Sequence, residues 1–362
     1  MKKSFKVMKV STNMKKETNK KNMIMILFVI IVSINCLFTI ATIPTSLCVI
    51  KQFVWQTSVL ELLIYIIVFY LFSNMKFYQL DNRIRLFLAI TVFSVLIYTL
   101  INGINRQYAA RMCIPDLFLL VTPILFAMIF ECYNEEKRNK TFTIIVCISL
   151  IIIVSVMKKS YIPVFYLAFV ASLAMYLLKK AFNKYIIIAF TLIGIVVPLI
   201  IVAICFCHQM LPAGVYTYLE NESYFHNVMD SSRLVGRSEI ALSYVTNKPE
   251  SKIFGELMFS YVMANTGLIS AIVLILPIIA FAIYLSFLAF RIKDPLLSSV
   301  IVCIVAILVT CSMYNVLMNF GLLPNVRIYL PFSSISLSFN ISMSALVGMA
   351  LSAYKQDKND KE

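Results

Sequence analysis

Apolar residues in this chain fall in long unbroken runs, not in the spaced stripes of a soluble helix or strand. A run of about 17–25 apolar residues spans a bilayer as one helix. Such runs recur at 23–43, 53–72, 84–102, 114–130, 142–157, 161–178, 185–206, 257–290, 297–320 and 331–354, which predicts about ten transmembrane helices. The two shortest flank Lys158 and Lys159 and could instead form one broken hairpin. One long polar interval, 208–255, separates the seventh run from the eighth; the other connections are short. The predicted fold is an all-α polytopic membrane bundle over 23–354, with a basic tail at 1–22 and a short tail at 355–362. No small-residue cleavage site follows the first run, so it reads as an uncleaved helix behind a disordered tail.

The chain's main irregularity lies between the last two runs. Pro324 and Pro331 bracket Arg327 within Gly321-Leu-Leu-Pro-Asn-Val-Arg-Ile-Tyr-Leu-Pro-Phe-Ser-Ser334. Two prolines break a helix, and irregular backbone at membrane depth survives only where protein or a wet cavity covers its polar groups. A functional centre is expected there.

Composition narrows the class. Hydrophobic residues make up 61% of the chain and charged residues 14%, a balance that excludes a soluble domain. The net charge of +15 follows the positive-inside rule. With the N-terminus inside, 22 of the 32 Lys and Arg residues fall on the cytoplasmic side and 10 on the outer side, so both termini are expected inside. No solvated basic face remains for nucleic acid. The Lys-rich tail can touch anionic lipid head groups. The nine cysteines are scattered along apolar runs with no metal-ligand spacing, which reads as small buried hydrophobes. No helix carries a file of charges, which argues against a channel or transporter.

Polar chemistry concentrates on the outer side. The 208–255 interval and its end hold His208, Glu220, Glu222, His226, Asp230, Glu239, Glu250 and Glu256, with Arg233 and Arg237. Lys51, Arg106, Arg111 and Arg327 are further outer cations. Each either anchors at head groups or binds phosphate, for which the arginine fork is suited. Glu61 lies inside the second run, where a charge is costly and marks either pairing or function. Asp116 reads as a helix cap.

Several of these residues carry a resemblance. Asn315, Gly321, Pro324, Leu330, Pro331, Phe332, Ser334 and Ser338 resemble the signature of the SEDS family (shape, elongation, division and sporulation; the FtsW, RodA and SpoVE group). Arg237-Ser238-Glu-Ile-Ala241 is similar to the family's Gln-Ser-x-x-Ala. Lys51-Gln52-Phe-Val-Trp55 and Arg111-Met112-Cys113-Ile114 are similar to its basic-Gln-x-x-Trp and Arg-Trp-Ile. Aligning Phe259 and Gly267 puts Glu256 where the family carries an essential aspartate. The departures are Ser336-Leu337 for a Gly-Gly, Ala264 and Asn265 for paired glutamates, and Thr122-Pro123-Ile-Leu for Gln-Pro-Ser-Glu. The family's Pro-Asp-x-Gly has no counterpart, so the chain reads as a divergent member.

The resemblance implies an inverting peptidoglycan glycosyltransferase that polymerises lipid II at the outer face of a bacterial cytoplasmic membrane. Its role would lie in division, shape or sporulation. Glu256 would be the catalytic base. A longer side chain than aspartate moves its oxygen by about 1 Å, a distance that matters for positioning. Lys51, Arg111, Arg233, Arg237, Ser238, Arg327, Pro331 and Ser334 would contact substrate. A single-span class B penicillin-binding transpeptidase would be the partner. No cofactor motif is present; pyrophosphate chemistry leaves room for a divalent cation. Two other readings stay open. Ser232-Arg233-Leu-Val-Gly236-Arg237 would suit an O-antigen or capsule polymerase or ligase, although His226 precedes the Arg pair. The lost polar residues would suit a non-catalytic lipid II-binding scaffold.

Overall fold

The computed structural model describes residues 26–30, 32, 48–75, 119–120, 122–127, 130, 162–180, 224–248, 253, 255–323, 328–334 and 336–359, with backbone alone at 48–58, 162–163 and 358–359. Among these residues the regular structure is helical, without a strand. Seven helices organise it: α1 (Cys48–Asn74), α2 (Ile162–Lys179), α3 (Glu239–Thr246), α4 (Met258–Thr266), α5 (Leu268–Arg291), α6 (Pro295–Asn319) and α7 (Leu337–Asn359). Helical stretches also occupy 26–30, 122–127 and 224–231.

The stretches Leu268–Arg291, Pro295–Asn319 and Leu337–Asp357 are long and apolar enough to cross a membrane, and Val59–Asn74 and Val164–Lys179 are shorter apolar helices. Helix propensity does not choose this state. α6 carries Val-Ile-Val-Cys-Ile-Val-Ala-Ile-Leu-Val, a β-branched run that would favour a strand in water. In lipid each backbone N–H and C=O must be paired within the segment, and a helix does this. The same logic keeps Pro277 inside α5.

α2 lies along α6 and α7 along α1, while α5 packs on α6. Ile269, Ile272, Val273, Leu276, Ile279, Ile283, Phe287 and Phe290 form the exposed side of α5, and Ala271, Leu274, Ile278, Phe281, Leu285 and Leu288 its buried side. Of the three long apolar helices α7 is the most enclosed and α5 the most exposed. Gly348 lets α7 approach α1. A Cβ there would stand 2.7 Å from Phe69 O and 2.8 Å from Phe72 Cβ. Beside α2, Phe126 packs edge-on to Phe165 and Phe169, and the Tyr176 hydroxyl donates to Phe130 O at 3.1 Å.

The end of the bundle where α5 gives way to α6 is cross-tied. Asp294 caps α6 by accepting from Leu296 N at 2.7 Å, with Pro295 in the first turn. Asp357 Oδ1 accepts from Lys293 N at 3.1 Å and Asp294 N at 3.3 Å. Lys355 Nζ donates to Ser73 O at 2.7 Å and Asn74 Oδ1 at 2.9 Å, and Ser352 Oγ donates to Met75 O. Lys179 Nζ donates to Phe290 O at 2.7 Å.

Two expected spans differ. The run 257–290 is two helices, because Gly267 breaks it at φ 101°, ψ 163°, backbone that only glycine tolerates. The run 331–354 turns helical only at Leu337 and continues to Asn359. The turn at 331–334 delays its start, and the Lys355 and Asp357 ties extend its end. The long interval 208–255 is partly structured, with helices at 224–231 and α3.

Candidate functional site

The site forms at the opposite end of the bundle, where α6 finishes and two irregular segments meet it. α6 ends in a Schellman motif. Gly321 takes φ 73°, its N–H donates to Met318 O at 2.9 Å, and Leu322 N donates to Leu317 O at 2.9 Å. The turns just before this cap present Asn315 and Asn319, both buried.

Asn319 acts on the turn that carries Glu256. In a continuous helix Ser260 N–H would bond Glu256 O, four residues back. Here the Asn319 amide is inserted between them. Its Nδ2 donates to Glu256 O at 3.1 Å, and its Oδ1 accepts from Ser260 N at 3.3 Å and Ser260 Oγ at 2.6 Å. The side chain substitutes for one peptide step. Glu256 therefore sits in a turn ahead of α4, with its main-chain oxygen still paired.

Asn315 joins the two irregular segments. Its Nδ2 donates to Glu256 O at 3.0 Å and to Ile328 O at 2.8 Å. Ile328, in the irregular stretch 328–330, is thus tied to the Glu256 turn. Asn340 of α7 closes the next turn. Its Oδ1 accepts from Phe332 N at 3.0 Å and its Nδ2 donates to Ser334 O at 2.8 Å. Phe332 stands at φ 60°, unusual for a bulky residue, and its ring packs edge-on to Phe28 at 5.7 Å. Asn340 Nδ2 also donates to the Tyr65 hydroxyl at 3.3 Å, which in turn donates to Glu61 Oε2 at 3.1 Å. Glu61, deep in α1, is thereby tied to the turn after Pro331.

Three asparagines thus satisfy the backbone that the prolines and turns release. This meets the requirement for irregular segments inside a bundle.

The expected site residues divide into three groups. Glu256, Pro331 and Ser334 converge at this end and are buried, Glu256 with 8% of its surface exposed. The Ser334 hydroxyl has 3% residue exposure and lacks a hydrogen-bond partner. Burying a hydroxyl without a partner is costly, and the Tyr224 and Tyr284 hydroxyls share this condition among the described residues.

The second group lies on the interval before α4. Ser238 caps α3, accepting from Ala241 N at 3.3 Å and donating to Ser231 O at 2.6 Å, so its hydroxyl is occupied. Arg237 pairs with Glu239 at 2.9 Å in an exposed salt bridge, which holds it weakly. Arg233 is exposed on the same turn. The third group is Lys51, Arg111 and Arg327, whose side chains lie outside the described residues, as do Arg106, Asp116, Glu220, Glu222 and Glu250.

The segment 233–238 is fastened to the break between α4 and α5. Gly236 N donates to Thr266 O at 3.1 Å and Ser238 N to Ala264 O at 2.9 Å, while Leu268 N donates to Arg233 O at 3.0 Å and Ile269 N to Leu234 O at 3.2 Å. Gly267 makes the close approach. A Cβ there would lie 2.7 Å from Leu234 O and 2.8 Å from Val235 Cα. Gly267→Val is expected to cost about 1–3 kcal/mol through its backbone conformation alone. It should also open 233–238 to proteolysis; a cleavage pattern like wild type would show that the segment is held elsewhere.

Nearby, Tyr224 is buried beneath Lys248, whose Nζ stands 4.8 Å from the ring centre. Burial pushes the Tyr224 phenol well above its usual range, so it stays protonated. His226 and Asp230 are exposed on the same helical stretch. Among the described residues no three His, Cys, Asp or Glu side chains gather as a metal site.

Sequence reasoning missed Asn319, Asn340, Ser260 and Tyr65. A polar amide within an apolar run was the available signal, and Asn319 and Asn340 both carry it.

No protein-family model matches the chain, and no curated protein matches it. Its structure is similar to a chain from a solved structure described as the structural coordination of polymerization and crosslinking by a peptidoglycan synthase complex. The TM-score is 0.60 at 12% identity, over 91% of this chain and 97% of that one. At that identity the likeness concerns the fold. The two chains share a helical fold.

Proposed function

We propose that the chain is a SEDS-type glycosyltransferase that polymerises lipid II, with Glu256 as the general base. The observation that carries this reading is the buried Glu256 turn, held by Asn315 and Asn319 and tied through Asn315 to Ile328, in the segment that leads into the Pro331–Ser334 turn. The fold's likeness to a chain of a peptidoglycan synthase complex supports it.

The chemistry follows from the groups present. An acceptor sugar hydroxyl attacks the anomeric carbon of a lipid-pyrophosphate sugar. Glu256 takes the hydroxyl proton as the new C–O bond forms. The bond from that carbon to the pyrophosphate oxygen breaks, and the electron pair leaves with undecaprenyl pyrophosphate. Attack from the opposite face inverts the centre. The leaving group needs positive charge. Arg237, Arg233, Arg111, Arg327 and Lys51 are the candidates, with or without a divalent cation. Arg237 is the readiest, because its exposed pair with Glu239 is easily exchanged for a phosphate. On this reading the active face is the outer face of a bacterial cytoplasmic membrane, and a single-span class B penicillin-binding transpeptidase crosslinks the product.

The test is purified protein with fluorescent lipid II in detergent or nanodiscs. Glycan polymer is the expected result. Lipid II bound but never polymerised, even beside a transpeptidase partner, would turn the reading to a scaffold. An absence of binding would point to another lipid-linked sugar.

A further inference from the structure

Leu234 and Val235 are 68% and 70% exposed, the highest values among the exposed large hydrophobic residues described. They form the tip of the 233–238 segment, and the tip is fixed. Main-chain bonds from Leu268 N and Ile269 N tie it to the first turn of α5, and Gly267 leaves no space between them. An apolar pair held rigidly outward has a surface to meet.

We infer that Leu234 and Val235 insert into the bilayer beside the start of α5, with Arg233 and Arg237 at the level of the lipid phosphates. Continuity with the exposed side of α5 identifies the occupant. Leu234 O is bonded to Ile269 N, and Ile269 opens the Ile269, Ile272, Val273, Leu276 stripe. The tip widens that stripe at the end where the spanning helix begins. Charge agrees with this placement. Arg233 and Arg237, both exposed, flank the apolar pair, and arginine matches phosphate geometry. Apolar side chains below and cations above is the arrangement of an interfacial segment. The interval before α4 therefore lies down on the membrane at this point. The inference does not depend on what the site catalyses.

The test uses the full chain in nanodiscs. Trp55 is the sole tryptophan, so Trp55→Phe gives a dark background. Leu234→Trp and, separately, Val235→Trp then report on the tip; both positions are exposed and tolerate a large ring. Asn247→Trp, exposed just beyond α3, is the control. Insertion of about 5–10 Å places the ring beside bromines on the upper acyl chain, so quenching should exceed the control by about twofold or more. Aqueous iodide should quench the Asn247→Trp protein and spare the tip variants. Tip variants quenched by iodide and not by brominated lipid would overturn the inference in favour of a solvated loop. Quenching by neither would overturn it in favour of a protein cover.

Discussion

Glu256→Gln is expected to reduce lipid II polymerisation by about 10²-fold or more, the usual weight of a general base, while leaving the protein folded and lipid II bound. The expectation separates chemistry from structure because of how the turn is held. Asn315 and Asn319 both bond the main-chain oxygen of Glu256, not its carboxylate. Glutamine keeps that oxygen, the side-chain length and nearly the same volume. It loses the negative charge and with it the capacity to take a proton. Activity should be compared with lipid II affinity and with the unfolding temperature in the same detergent. Wild-type polymerisation by the Gln variant would remove Glu256 from the base role. A fall in unfolding temperature matching the loss of activity would instead make Glu256 a structural residue.

Asn319→Leu should act the other way round, striking structure first. Leucine fills the space but neither donates nor accepts. Ser260 N–H and Ser260 Oγ lose a partner in a buried place, and Glu256 O loses one of its donors. Each buried polar group stranded in this way costs about 1–3 kcal/mol, so a loss of about 2–4 kcal/mol is expected. Asn319→Asp is the informative companion. It retains the acceptor for Ser260 but cannot donate to Glu256 O, so it should damage activity more than it damages stability. Unchanged unfolding in Asn319→Leu would show that the amide bridge contributes nothing.

Much of the architecture is legible because lipid permits so few choices. The runs 161–178 and 297–320 mark α2 and α6 to within about two residues, since a buried apolar run of that length has no state but a helix. The break after Gly321 was readable from the same argument, because Pro324 and Pro331 cannot continue a helix. The break at Gly267 was not. A lone glycine in an apolar run is ordinary in a membrane helix; it becomes a hinge here only because Leu234 and Val235 press against it from thirty-odd residues upstream. The asparagines show the same limit. Asn315 stood out by its place in a signature, while Asn340 looked like any polar residue in a serine-rich helix. Their roles depend on carbonyls released by other segments, and no local pattern encodes those. Ser238, by contrast, matched a motif, yet its hydroxyl is engaged in capping. A pattern match locates a residue without saying which of its atoms are already in use.

The polarity of α7 has a consequence for how the protein is made. The helix is less apolar than α5 or α6, because it carries Ser338, Asn340, Ser342, Ser344 and Ser352. Left alone in hydrocarbon such a segment partitions poorly, since its amide and hydroxyls have nothing to bond. α1 and α6 must be in the membrane before α7 can settle, and the helix that clamps the Pro331 turn is then recruited into a slot that its neighbours have already shaped. Biogenesis is in this sense templated: the Pro331 turn that Asn340 clamps takes form only as the bundle closes, so an unfinished chain carries no assembled candidate site.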